Sequence, residues 1–161
     1  MELIVKKSLN RGKGVFTKTF IPKRQTIFKL FGERISLREV NKRIAEGTLP
    51  IDDPLQIGEE EFIVVEKTIS HFFNHSCDPN AGIKRESELF ALRDIESGEE
   101  VTFDYSTTEH SGIPWVMKCI CGVTNCRTRI GDIASIPRDQ FLKYKELSAF
   151  PDYLKKYIEH A

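Results

Sequence analysis

Neither sign of charge is in excess in this chain: 24 Lys and Arg stand against 24 Asp and Glu over 161 residues. Nucleic-acid binding normally shows itself as a basic excess or stripe facing the phosphates. Lys6-Lys7 and Lys155-Lys156 are too short to supply one, so direct nucleic-acid contact is not expected. Long apolar runs are missing too. No stretch approaches the roughly 20 residues that cross a bilayer, and Met1-Glu2-Leu3-Ile4-Val5-Lys6-Lys7 carries no apolar signal core behind its charges. A soluble intracellular protein without a membrane partner is the expectation, in cytoplasm or nucleus depending on source. Repeats and low-complexity tracts are absent. The length is that of one domain able to bury a core without crosslinks.

Cysteine is scarce, and its placement says more than its number. Of four cysteines, Cys77 stands alone while Cys119, Cys121 and Cys126 cluster late in the chain. In a reducing compartment such a cluster binds metal more often than it forms disulfides. The C-x-C-x4-C cluster lacks a fourth thiolate, and a tetrahedral zinc site needs four ligands. Cys77 is therefore expected to complete one structural zinc site, with free buried thiols as the competing reading. Cys77 belongs to Phe72-Phe73-Asn74-His75-Ser76-Cys77-Asp78-Pro79-Asn80, where Asn74 and His75 could hold a small polar ligand by its edges.

Glycine is sparse in the turn Asn10-Arg11-Gly12-Lys13-Gly14 as well: no third glycine and no following helix make it a dinucleotide fingerprint. Its G-x-G leaves bare backbone that a ligand can approach, although a hairpin turn alone would account for it. Short strands are predicted at Leu3–Val5, Val15–Thr17, Gln25–Phe31, Leu55–Ile57, Glu61–Val65, Leu89–Arg93 and Val101–Tyr105. Ser36-Leu37-Arg38-Glu39 opens a helix whose apolar face is Leu37, Val40 and Ile44. Two short helices close the chain, through Gln140–Tyr144 and from Pro151. The fold class is mainly β with a few short helices. The acidic run Glu59-Glu60-Glu61 reads as a solvated turn.

Four motifs occur in order: Arg11-Gly12-Lys13-Gly14-Val15-Phe16, Phe73 to Asn80, Gly98-Glu99-Glu100-Val101-Thr102-Phe103-Asp104-Tyr105, and Lys118-Cys119-Ile120-Cys121-Gly122 to Asn125-Cys126-Arg127. With them the chain resembles the SET-domain protein lysine methyltransferases, of the small stand-alone type with a post-SET zinc segment. The resemblance implies a β-clip fold with a pseudoknot-like threaded C-terminal segment. It divides the chain into a SET domain at 1–117, a post-SET zinc-binding segment at 118–132 and a helical tail at 133–161 packed on the same domain. It implies S-adenosylmethionine held by Gly12, Lys13, Gly14, Asn74, His75, Tyr105 and Trp115, with Trp115 covering the adenine or else merely anchoring its loop. Tyr105 is the implied catalytic residue, and Phe103 the position that sets how many methyls are added, with di- or trimethylation expected. The substrate would be a lysine of a histone or another protein; the alternative is a catalytically silent SET module that binds a peptide or partner. Thr128 stands where the family usually has glycine, and Thr68-Ile69-Ser70-His71 where many members carry a Gly-Asn pair and an arginine.

Overall fold

A computed structural model describes residues 1–9, 12–110 and 112–159. Asn10 and Arg11, part of the expected ligand-approach turn, lie outside the described residues. The chain begins with an antiparallel pair, β1 (Leu3–Lys7) and β2 (Lys13–Thr17). Next come β3 (Thr26–Lys29) and β4 (Gly32–Ser36), then helix α1 (Leu37–Ala45). Strands β5 (Pro54–Gln56) and β6 (Glu61–Val65) join β4 in an antiparallel sheet of order β4-β6-β5. A second three-stranded sheet, of order β3-β9-β8, uses β8 (Ala81–Lys84) and β9 (Glu88–Ala91). Two-residue strands complete the β structure: β7 (Asn74–His75) pairs in parallel with β10 (Thr102–Phe103), and β11 (Met117–Lys118) pairs antiparallel with β12 (Arg129–Ile130). The chain ends in α2 (Arg138–Glu146) and α3 (Lys155–Ile158). The mainly-β class with few short helices holds, in small separate sheets with no closed barrel among the described residues.

The local signals explain most of these elements. Ser36 caps α1, its hydroxyl accepting from the Glu39 amide at 3.2 Å, and Val40 is fully buried against Leu49 and Phe62. Gly32 is where β4 closes on β6: a Cβ there would lie 1.9 Å from the Val64 carbonyl oxygen, so only glycine fits. The main core, including Val15, Ile21, Ile83, Leu89 and Val101, lies between the small sheets. A second apolar cluster packs α2 and α3 onto β9 through Phe90, Tyr144 and Ile158.

The structure departs from expectation at the strand predicted over 101–105. Regular pairing stops at Phe103, and Tyr105–Thr108 form a 3₁₀ turn. Asp104 causes the break: its side chain accepts from the Ser106 amide at 3.1 Å and its carbonyl from the Thr107 hydroxyl at 2.7 Å. An aspartate that caps a turn competes with continuation of the strand. Among the described residues no helix is long and apolar enough to cross a membrane.

Candidate active site and metal centre

The site is built on the one parallel strand pair among the described residues, two rungs long. Thr102 pairs with Asn74 and Phe103 with His75, and the Ser76 amide extends the ladder to the Phe103 carbonyl at 3.1 Å. Two rungs hold little by themselves. Asn80, 4% exposed, adds the missing strength: its amide nitrogen donates to the Glu100 carbonyl at 2.8 Å and its oxygen accepts from the Thr102 amide at 3.0 Å.

Tyr105 then leaves the strand end directly beside this loop. Its amide donates to His75 Nδ1 at 3.3 Å and its hydroxyl to the Phe73 carbonyl at 2.7 Å. Its ring centroid lies 4.9 Å from Phe103 and 5.5 Å from His75. The two stretches whose meeting the sequence reading required are thus in contact. The Phe73 carbonyl, a backbone acceptor, was missed because a backbone group has no signature in the residue alphabet.

On the other side of Asn74 lie the glycines. Asn74 Nδ2 donates to the Lys13 carbonyl at 2.9 Å and to Glu100 Oε1 at 2.6 Å, while the Ser8 hydroxyl donates to Glu100 Oε2 at 2.8 Å. A Cβ at Gly14 would fall 2.1 Å from that carboxylate. Gly14 therefore lets β2 approach the Asn74–Glu100 pair. Gly12, at φ +68°, has open space where a side chain would project. Glu100 and Ser8 were not anticipated. Glu99 and Glu100 look alike on paper, yet the structure sends Glu99 outward to Arg93 at 2.7 Å and Glu100 inward.

A cavity of about 310 Å³ opens next to Tyr105, walled by Phe73, Phe103, Trp115, Leu30 and Val65. Trp115 is 9% exposed and packs against Cys77, Cys119 and Ile130, so one indole touches both the cavity and the cysteine cluster.

In that cluster the ligand atoms of His75, Cys77, Cys119 and Cys121 all lie within 4.8 Å of one another. Cys77 and Cys119 sulfurs are 3.7 Å apart, and His75 Nε2 is 3.3 Å from Cys77 Sγ. Cys126 stands beside the group, its sulfur 3.7 Å from the Cys119 carbonyl oxygen and 3.4 Å from the Thr128 amide. Burial pushes the Cys77 and Cys119 thiols up. At Cys121 burial is outweighed by backbone hydrogen bonds and the value falls to about 7. Sulfur ligands converging at this spacing, with an imidazole alongside, fit the tetrahedral, sulfur-rich coordination that zinc takes.

A buried ion pair locks this cluster to the Tyr105 turn. Arg127 donates from its amide and from Nε to Cys77 Sγ, both at 3.4 Å, and from Nη2 to Asp104 Oδ1 at 2.6 Å. Tyr144 of α2 adds a hydroxyl to Asp104 Oδ2 at 3.2 Å. Asp104 is 1% exposed; burial pushes its carboxyl above the usual range against the opposing pull of Arg127.

A family model described as SET domain matches residues 12–106. The histone-lysine N-methyltransferase, H3 lysine-9 specific dim-5, of Neurospora crassa is 31% identical over 157 residues, covering 73% of this chain and 47% of that protein. An H3 lysine-4 specific histone-lysine N-methyltransferase of Schizosaccharomyces pombe is 35% identical over 130 residues, 71% of this chain and 13% of that protein. A variant-silencing SET domain-containing protein of Plasmodium falciparum is 34% identical over 141 residues, 78% of this chain and 5% of that protein. The chain thus spans less than half the length of each of these relatives.

Proposed function

This chain belongs to the SET-domain family, and on that premise we propose that it is an S-adenosylmethionine-dependent protein-lysine N-methyltransferase acting on a histone or another lysine-bearing protein. The observation that carries the reading is the Tyr105 hydroxyl at 2.7 Å from the Phe73 carbonyl, in the wall of an aromatic cavity, while the adjoining residue Asn74 bonds the Lys13 carbonyl beside Gly14. S-adenosylmethionine supplies, when bound, an electrophilic methyl on a sulfonium. Gly12, Lys13, Gly14, Asn74, His75, Tyr105 and Trp115 would hold it, and the Glu100 carboxylate favours a cationic ligand on the glycine side.

The chain's own work is placement and desolvation. Holding an amine in line with a methyl carbon supplies about 7–11 kcal/mol of the barrier. A free lysine titrates near 10.4, and the apolar walls of Phe73, Phe103 and Trp115 disfavour its charged form and so favour the neutral nucleophile. The Tyr105 hydroxyl and the Phe73 carbonyl orient that amine; the phenol, mostly protonated at neutral pH, is not cast as a strong base. Phe103 presents no hydroxyl to retain a water that would block rotation of a methylated amine, which supports di- or trimethylation.

Zinc belongs with Cys77, Cys119, Cys121 and Cys126. We assign the His75 ring proton to Nε2, donated toward Cys77 Sγ, because Nδ1 accepts the Tyr105 amide; Nδ1 also lies 3.4 Å from Asp104 Oδ1. That makes the imidazole a support for a thiolate ligand and leaves the fourth position to Cys126.

The test is transfer of labelled methyl from S-adenosylmethionine to histones and to whole-cell extract. The native chain labels a protein lysine, and Tyr105→Phe lowers the rate about 10²–10³-fold, the size of loss that follows removal of one preorganised polar contact to the reacting centre. No label in any protein, with calorimetry showing no cofactor binding, identifies a silent binding module instead.

A further inference from the structure

The cavity beside Tyr105 is not electrically neutral, although the chain is. Its lining includes the carboxylates of Asp52, Asp53 and Glu109 and, among the described residues, no lysine or arginine. Asp52 is exposed and Asp53 half-buried, on the loop that enters β5, so both stand at the open edge of the cavity. Neither forms an ion pair with a described residue, so both carboxylates are open to a cation brought to this edge. A second, independent feature of the wall points the same way. Ser70 is 4% exposed, lines the same cavity, and has a hydroxyl with no hydrogen-bond partner among the described residues. A buried polar group left unpaired is costly, and such groups in native proteins ordinarily have a partner. Apolar walls, a spare hydroxyl and an unpaired acidic edge together suit an extended cationic segment more than a lone lysine.

We infer that Asp52 and Asp53 are specificity-determining residues that select a target lysine flanked by a second basic residue, the Ser70 hydroxyl accepting a hydrogen bond from the same peptide. The inference rests on the methyltransferase reading for its biological meaning but not for its test. Exposed carboxylate–guanidinium pairs are worth about 0.2–1 kcal/mol each, a factor of about 1.5 to 5. Two acids acting together give a preference of roughly fivefold for arginine over glutamine beside the lysine.

The experiment uses synthetic peptides with one lysine in a glycine, alanine and serine background, carrying arginine, glutamine or glutamate at each position within three residues of it. Both binding by fluorescence anisotropy and methyl transfer are measured, for the native chain, for Asp52→Asn with Asp53→Asn, and for Asp52→Lys with Asp53→Lys. The native chain is expected to favour arginine at one or more flanking positions; the asparagine pair removes the preference and the lysine pair turns it toward glutamate. Equal binding of arginine and glutamine peptides by the native chain, or a preference that survives both variants, overturns the inference. Preferential binding without methyl transfer leaves it standing and overturns the enzymatic reading, so the two failures are told apart.

Discussion

At the scale of single residues the site depends on which hydrogen each side chain carries. His75 is 1% exposed and bridges two things that must move together, the Tyr105 amide and the Cys77 sulfur. If Cys126 is the fourth zinc ligand, His75→Gln keeps one zinc per chain by elemental analysis while Cys126→Ser loses it; the reverse pattern would make His75 the ligand. His75→Gln also weakens an acceptor for a buried amide, an effect of about 1–3 kcal/mol visible in denaturant unfolding. Phe103 is 5% exposed and in contact range of Tyr105. Phe103→Tyr is expected to shift the product toward the monomethyl form in mass spectrometry of a good peptide substrate. A native enzyme that stops at one methyl would refute the assignment.

At the scale of elements, short strands survive because side chains finish their hydrogen bonds. Asn80→Ala should lower stability by about 2–4 kcal/mol, since the Thr102 amide and the Glu100 carbonyl both lose a buried partner. Thr128 presents the opposite case. It sits at φ +60°, a conformation that a β-branched residue adopts only under strain, at the position where the family usually carries glycine. Thr128→Gly is expected to add about 1 kcal/mol, read as a rise of about 2–4 °C in the melting temperature. These elements also show what could be read in advance. The cap at Ser36 and the Val40 face of α1 were legible because their partners lie within a few residues. That Asn74 and His75 share a site with Tyr105 followed from motif resemblance, but the parallel ladder between β7 and β10 that joins them was not foreseen, since periodicity does not encode a two-residue parallel pair. Glu100, Ser8 and the Asp52–Asp53 edge were not legible, because their roles are set by partners brought close only in the folded chain.

At the scale of the molecule, the cysteines lie outside the principal core, which is apolar and complete without them. Chelation of the proposed zinc should therefore act locally. Amide hydrogen exchange is expected to rise across residues 115–130, with methyl transfer lost, while the β3-β9-β8 sheet stays protected. Global unfolding on chelation would instead mean that the metal is needed by the whole fold. Trp115, shared between the cavity wall and the cysteine cluster, is the natural fluorescent reporter of the local change.

The anchoring of Asp104 by Arg127 and Tyr144 has a bearing on biosynthesis. Every motif up to residue 105 leaves the ribosome before either partner does, so a nascent chain can assemble its early sheets and still hold an uncompensated carboxylate under Tyr105. Such a chain is expected to stay inert until the later segment has cleared the exit tunnel, and a chain truncated before Arg127 is expected to show no methyl transfer in the labelling assay.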